Sequence, residues 1–354
     1  MPKANEIRPD TFRTNNFDLL RIFAATQVLC QHSLLHLQLT GGLWWQVFSK
    51  FSGVPIFFVL SGFLISASYE KTASLKIYTQ NRLLRILPGL WACVLLTAII
   101  TTCLGYKFFP GGLVWLPLQL VGVIYTPKFL VNFGFHSYNG SLWTIPVELQ
   151  FYFMLPVLYY ISKKLFKTKW FFMIALVFFA MVGGLLLYIF KNNALMGDGE
   201  ASGITKLIQY SFVQNFYLFL LGVVMYKYTL YTSTFIHGKG LIWLGAYLLF
   251  AFFPVLPPVI HYVAVQILLG ITAMSCAYTL PGLAKKILKV DISYGVYIYH
   301  ALALNLFVEY GLVGKWAYLG YIIAITYFVA YLSWTFIEKP FIKRKKVTLK
   351  LAEG

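Results

Sequence analysis

Long apolar runs separated by short polar segments dominate the chain. A membrane-spanning helix needs about 20 mostly apolar residues, and the runs come close to or exceed that length, except the short one at 240–253. Ten of them lie near residues 17–38, 47–68, 84–104, 142–162, 169–190, 209–227, 240–253, 258–280, 291–311 and 315–337. The pattern predicts an all-α, polytopic membrane bundle of about ten transmembrane helices. We expect a single domain over residues 1–354, with its core between 17 and 342.

An eleventh apolar stretch, residues 113–130, is interrupted by Pro117, Gly122 and Pro127. Non-helical backbone is tolerated at membrane depth only where protein or a cavity shields it. We therefore predict a re-entrant or surface-lying piece inside a long loop. If this stretch crossed the membrane instead, every later helix would run in the opposite direction.

Composition supports the membrane assignment. Hydrophobic residues make up 59% of the 354 positions and charged residues only 11%, whereas roughly a quarter of an ordinary soluble domain is charged. The four cysteines lie in or beside apolar runs without metal-ligand spacing, so we expect buried thiols and no bound metal. The first sixteen residues are polar and lack the apolar core of a cleavable signal peptide.

The net charge of +18 raises the question of nucleic-acid binding. The 29 basic residues do not form one patch, however, and occur in short segments between the apolar runs. With the N-terminus in the cytoplasm, 23 of them fall on the cytoplasmic side and 6 on the other. Cytoplasmic loops of membrane proteins carry such an excess. The distribution predicts two cytoplasmic termini and no nucleic-acid partner.

Ionisable side chains inside membrane spans are costly, so each one is a functional candidate. The candidates are Asp18, Arg21, His32, His36, Glu148, His300 and Glu309, with Arg82 and Arg85 at a cytoplasmic edge.

The first apolar run carries three of these candidates. Arg21 and His32 are eleven residues apart, just over three helical turns, and so share a face. Asp18 precedes Arg21 by three residues and can pair with it. His32 lies about 16 Å farther along the helix, in the outer half of the membrane. A neutral imidazole there suits a general base. The alternatives are an interfacial ion pair and a histidine that hydrogen-bonds a neighbouring helix.

Glu148 falls in the outer half of the fourth run, at a depth similar to that of His32. A carboxylate could hold the imidazole in one tautomer and stabilise its protonated form. Tyr152, four residues on, shares the helix face. Pairing with another polar group is the structural alternative.

Each of two further groups of polar residues has two possible interpretations. Arg82 and Arg85 are three residues apart and share a face. Paired guanidinium groups suit phosphate, but any two basic residues here would also anchor the topology. Ser293, Tyr297 and His300 form a polar stripe, which could line a substrate channel or hydrogen-bond between helices.

Six motifs in this order resemble the acyltransferase-3 family of membrane-bound acyltransferases, over about residues 17–342. They are FDLLRIFAA followed by His32, VPIFFVLSGFLIS, NRLLR at 81–85, SLWTIPVELQFYFMLP, SYGVYIYH at 293–300, and EKPF at 338–341. Family members often have Ser-x-Glu-x-Gln-Phe-Tyr, whereas Pro146 and Val147 precede Glu148 here.

The resemblance implies transfer of an acyl group, usually acetyl, from cytoplasmic acyl-coenzyme A to a hydroxyl of an extracytoplasmic carbohydrate. The expected location is the bacterial cytoplasmic (inner) membrane, with acyl-coenzyme A as donor substrate and no permanently bound cofactor. By the same resemblance His32 is the catalytic base, Arg21 belongs to its motif, and Arg82 and Arg85 meet the coenzyme A phosphates. Many relatives carry an SGNH-type domain after the bundle. We expect no such domain after the bundle here, which suggests either a stand-alone enzyme or a separate periplasmic transferase as a partner. Membrane lipid is the other expected partner.

Two other functions compete with this one. A transporter or flippase of a polar or glycolipid substrate would also use many spans and buried charges, and inverted repeats would indicate it. We detect none. A membrane glycosyltransferase or polymerase that acts on lipid-linked sugar would more often show long outer loops with acidic catalytic residues. The longest predicted outer loop, residues 105–141, has no Asp or Glu.

Overall fold

A computed structural model describes residues 15–72, 74–166, 168–195 and 211–344. All regular structure in these ranges is helical, and they contain no strand, as the hydropathy pattern predicts. The α-helices are α1 Phe17–His36, α2 Leu43–Phe48, α3 Gly53–Lys71, α4 Leu75–Cys103, α5 Gly111–Leu120, α6 Thr144–Ile161, α7 Phe171–Leu195, α8 Phe216–Lys227, α9 Gly240–Phe252, α10 Pro258–Ala277, α11 Leu283–Ile287, α12 Ser293–Glu309 and α13 Trp316–Ser333. The polar N-terminus and both chain ends, whose location we predicted, lie outside the described residues.

Every predicted apolar run contains a helix, but fewer helices meet the requirements for crossing a membrane. Within the described ranges, six stretches are long and apolar enough: Leu43–Lys71, Leu75–Cys103, Gly140–Lys164, Phe171–Phe190, Pro258–Ala277 and Trp316–Arg344. At 1.5 Å per residue, α8 and α9 are only about 18–20 Å long, against about 30 Å of hydrocarbon. The total of ten spans and their direction stay predictions.

The interrupted stretch at 113–130 forms the ten-residue helix α5 and a 3-10 turn at Lys128–Leu130. A helix of that length extends about 15 Å and cannot cross the hydrocarbon layer alone. Buried Trp115 anchors it, since its indole nitrogen donates to the Tyr125 carbonyl at 3.2 Å. This geometry agrees with the prediction of a non-spanning piece.

The chain divides into two compact units. The described part of the first comes from residues 15–24, 54–70 and 155–290. Its centre includes α8, in which all ten residues from Phe216 to Met225 are buried. Helices α3 and α8 meet backbone to backbone, because a Cβ atom on Gly62 would overlap the Phe219 carbonyl oxygen and one on Gly222 would overlap that of Val59. Only glycine allows this approach.

The second unit comes from residues 25–53, 71–154 and 291–344 in the described part of the chain. Helix α12 is its core element, with almost every side chain from Ser293 to Asn305 buried. Gly295 packs against the Ala330 backbone of α13. Every predicted site residue except Asp18 and Arg21 lies in this unit. The predicted domain boundaries stay a prediction.

Candidate active site

Two of the predicted site histidines form a pair within the second unit. His32 lies in the last two turns of α1, and His300 lies in the middle of α12. His32 Nδ1 is 3.0 Å from His300 Nε2, and the ring centroids are 5.2 Å apart. His300 is completely buried, whereas His32 is partly exposed. The pair therefore has one accessible member and one enclosed member.

Tyr297 supports the buried histidine from the preceding helical turn. Its carbonyl oxygen is 2.7 Å from His300 Nδ1. Its phenol donates to the Ser141 carbonyl at 3.0 Å and accepts from Thr144 Oγ1 at 2.9 Å. The central part of the polar stripe predicted on α12 is thus engaged in hydrogen bonds with α1 and with the start of α6.

Glu148 is hydrogen-bonded to Tyr152, whose phenol donates to its Oε1 at 2.5 Å. The Tyr78 phenol of α4 donates to the Tyr152 carbonyl at 3.0 Å, which places this turn of α6 against α4. Arg82 and Arg85 of α4 are electrostatic neighbours of Glu148. The sequence led us to expect Glu148 beside His32, but the structure gives His300 as the partner of His32 Nδ1.

The two arginines differ in their surroundings. Arg82 is buried. Arg85 forms an ion pair with Asp291, with 3.2 Å between Nη2 and Oδ2. Ser293 donates from Oγ to the other carboxylate oxygen of Asp291 at 2.5 Å. Sequence reasoning overlooked Asp291, although it stands only two residues before the first residue of the SYGVYIYH motif.

Asp18 and Arg21 form the ion pair that their spacing predicts, with 3.5 Å between Oδ1 and Nη1. Both belong to the first unit, whereas His32 at the far end of α1 belongs to the second. The Asp18 side chain is 53% exposed and that of Arg21 is 18% exposed. Exposed ion pairs contribute little to stability. Of the two residues, the less exposed Arg21 is therefore the one whose functional role we would test.

Asn305 and Glu309 of α12 hold the segment 134–138 by its backbone. Glu309 accepts from the Gly134 amide at 2.8 Å, and Asn305 Oδ1 accepts from the Phe135 amide at 3.0 Å. Asn305 Nδ2 donates to the Ser137 carbonyl at 2.8 Å. The His36 ring stacks on Phe135 with centroids 3.9 Å apart. The segment therefore borders the end of α1 that carries His32.

Glu309 has a second partner in this region. The Tyr106 phenol donates to its Oε1 at 2.7 Å. Burial, together with this bond and the carboxylate charge, raises the pKa of Tyr106 to about 12. The phenol therefore remains a neutral donor at physiological pH. Glu309 appeared among the sequence candidates without a role, and this contact gives it a structural one.

Glu338, in the EKPF motif, is a buried carboxylate that the candidate list omitted. It lies in a π-helical turn, Trp334–Glu338. Ser333 Oγ donates to Glu338 Oε1 at 2.9 Å, and the Tyr299 phenol donates to Ser333 Oγ at 3.1 Å. This chain of bonds ties the end of α13 to α12.

The polar groups follow α12 in order. Arg85 and Asp291 lie at its N-terminal end, His300 lies about 10 Å along its axis from Ser293, and Asn305 and Glu309 follow. Among the residues the structure describes, no three His, Cys, Asp or Glu side chains gather as metal ligands. The side chains in place supply an anion-binding group, a nitrogen base and hydrogen-bond donors.

Comparison with known proteins agrees with the resemblance seen in the motifs. The family of acyltransferase domains matches residues 14–337. The chain belongs to the acyltransferase-3 family. It is therefore a membrane acyltransferase. No solved structure matches the chain.

Three relatives show how far the similarity extends. Nodulation protein 10 of Rhizobium leguminosarum bv. viciae is 30% identical over 357 residues, which cover 93% of each chain. The O-acetyl transferase of Shigella phage Sf6 is 27% identical over 96% of this chain and 99% of its own. Acyltransferase MdmB of Streptomyces mycarofaciens is 26% identical over 44% of this chain and 42% of its own.

Proposed function

We propose that this acyltransferase moves an acetyl group from cytoplasmic acetyl-coenzyme A to a hydroxyl of a carbohydrate outside the cytoplasm. The observation that carries the proposal is the layout of the second unit. An arginine group and an accessible histidine lie at different levels of one helical unit, near the two ends of segment 291–300, which includes the first half of α12. A long, thin donor with phosphates at one end and a thioester at the other matches that layout.

The arginines form the donor end. Arg85 presents a planar guanidinium that Asp291 holds in place, and Arg82 lies one turn before it on α4. Guanidinium groups bind phosphate oxygens through paired, charge-assisted hydrogen bonds. Glu148 partly balances the two positive charges. We assign it to holding these side chains in position rather than to orienting His32.

His32 carries the chemistry. Its imidazole takes the proton of the acceptor hydroxyl while the hydroxyl oxygen attacks the thioester carbonyl. The tetrahedral intermediate then expels the coenzyme A sulfur, and the imidazolium returns the proton to it. The products are an O-acetyl ester and free coenzyme A. This direct transfer needs no acyl-enzyme. The other two residues of the polar stripe on α12, Ser293 and Tyr297, border the path of the donor.

The distribution of basic residues supports the direction of transfer. The positive-inside bias of 23 to 6 places Arg82 and Arg85 at the cytoplasmic edge, where coenzyme A is made. His32 then lies about 16 Å outward from Arg21 along α1. The donor arm must reach through part of about 30 Å of hydrocarbon, and the acceptor approaches from outside, beside segment 134–138. Arg21 stays a candidate for the same reaction through the motif it shares with His32.

The comparisons support acetyl as the group and disfavour the transporter alternative. One relative is named an O-acetyl transferase, and membership of an acyltransferase family leaves a flippase function without support. We place the protein in the bacterial cytoplasmic membrane. A separate periplasmic transferase would be needed only if the acceptor cannot reach His32 directly.

Mass spectrometry of surface glycans from cells with and without the gene tests this function. We expect the mass of one acetyl group per modified hydroxyl to disappear on deletion and to return with the wild-type gene. Complementation with His32→Ala should fail at normal protein levels, whereas His261→Ala, a histidine substitution in the first unit, should succeed. Normal acetylation by the His32→Ala protein would remove His32 from the mechanism.

A further inference from the structure

The hydrogen bonds of His300 determine which of its nitrogens carries a proton. A backbone carbonyl oxygen can only accept, so the nitrogen 2.7 Å from the Tyr297 oxygen, Nδ1, is the donor. His300 is fully buried, and its contacts within the described residues include no carboxylate. A buried charge without a partner is very costly. The ring is therefore neutral, and its Nε2 bears a lone pair.

The same logic then applies to His32. Its Nδ1 lies 3.0 Å from His300 Nε2, and that nitrogen can only accept, so His32 Nδ1 carries the proton and donates. A neutral imidazole has only one N–H, which leaves Nε2 of His32 unprotonated. No residue in the described ranges hydrogen-bonds this Nε2, and the side chain is partly exposed. The nitrogen that can act as a base is thus the one open to an acceptor.

We propose that His300 is a positioning residue that fixes His32 as the Nδ1–H tautomer and so directs its basic Nε2 toward the acceptor hydroxyl. The proposal rests on the proposed role of His32 as the base. The chain of donors runs from His32 through His300 to the Tyr297 carbonyl. When His32 takes up a proton, its Nδ1–H becomes a charge-assisted donor to His300, and the bond strengthens as the transition state forms. A neutral histidine and a peptide carbonyl thereby perform the task that a carboxylate performs in serine hydrolases.

Three substitutions of His300 test this role with purified protein and acetyl-coenzyme A. His300→Ala removes the acceptor, and we expect turnover to fall about 100-fold with an unchanged KM for acetyl-coenzyme A. In His300→Gln the terminal oxygen reaches the former position of Nε2 and can accept from His32, so much of the turnover should return. His300→Asn ends near the former Nδ1, too short to reach His32, and should stay as slow as the alanine variant.

A spectroscopic measurement supplies a readout that lost packing would not change. In protein labelled with ¹⁵N-histidine, the ring nitrogens of His32 are identified by the signals missing from His32→Ala. We expect the protonated nitrogen to be Nδ1 in the wild type and in His300→Gln. In His300→Ala and His300→Asn, the two tautomers should become mixed. His261→Ala serves as the control and should leave the His32 signals unchanged.

Several results would overturn the proposal. Wild-type turnover in His300→Ala would do so, as would an Nε2–H tautomer of His32 in the wild-type protein. If the alanine variant does not fold, the Gln and Asn variants decide, and equal turnover in both would refute the role. Failure here is distinguishable from failure of the proposed function, because the latter requires that His32→Ala itself keep its activity.

Discussion

Two explanations for the positive charge at Arg85 can be distinguished by substitution. It could bind donor phosphate, or it could simply anchor the cytoplasmic end of α4. Lysine keeps the charge but loses the planar fork of donors. The ion pair with Asp291, at 3.2 Å, fixes the orientation of that fork.

We predict that Arg85→Lys raises the KM for acetyl-coenzyme A about tenfold, the loss of roughly one charge-assisted hydrogen bond. Arg85→Ala should raise it further, while turnover at saturating donor changes much less in both. Steady-state kinetics of the purified variants would show this. Lys128→Ala, in the exposed loop, is the control. A lysine variant with wild-type KM would leave Arg85 as a topology anchor.

The individual candidates could be found from sequence because charged residues inside apolar runs stand out. Their partners could not. His32 and His300 are 268 positions apart, and their contact depends on how α1 and α12 are rotated, which hydropathy does not specify. Glu148 was expected beside His32 because both fall at a similar depth, and depth does not specify the direction in which a side chain leaves its helix. Asp291 and Asn305 were overlooked because polar residues near helix ends are ordinary.

The contact between helices α3 and α8 requires glycine, because a Cβ atom at the contact would overlap the backbone of the other helix. Gly222 lies against the Val59 carbonyl and the Phe63 amide with no room for a Cβ atom. Gly245 of α9 has open space at the same atom. The same substitution at Gly222 and at Gly245 therefore compares a crowded position with an open one.

We predict that Gly222→Ala destabilises the protein by about 1–3 kcal/mol or more through overpacking. Gly245→Ala should be neutral or slightly stabilising, since alanine favours a helix by about 1 kcal/mol over glycine. Melting temperatures in the same detergent provide the comparison. Equal melting temperatures for the two variants would contradict the backbone contact between α3 and α8.

Hydropathy predicted the positions of the helices well and their lengths less well. Apolar runs predict burial in lipid or protein alike, so α8, which is buried within its unit, looked like a span although it is only 12 residues long. Conversely, α1 has 20 residues, but its polar side chains lower its hydropathy. Those polar residues are the reason that it contributes to the site.

The property of the whole molecule that matters most for the proposed function is its orientation in the membrane. The charge bias predicts an enzyme whose donor and acceptor ends face opposite sides of the membrane. The sequence can predict this direction because insertion responds to loop charge rather than to packing, and the direction stays a prediction. It could not supply the number of crossings, since six stretches meet the requirements for length and hydropathy and the others depend on their surroundings.

Inverted membrane vesicles, which expose the cytoplasmic face, show from which side of the membrane the donor is used and on which side the glycan is modified. Acetyl-coenzyme A labelled in the acetyl group is added outside the vesicles, and alkali-labile label is measured in the glycans enclosed within them. We predict that label accumulates with the wild-type protein, does not accumulate with His32→Ala, and is absent from right-side-out vesicles given the same donor. Accumulation with the His32→Ala protein would refute the role of His32, and transfer only from the opposite face would refute a cytoplasmic donor.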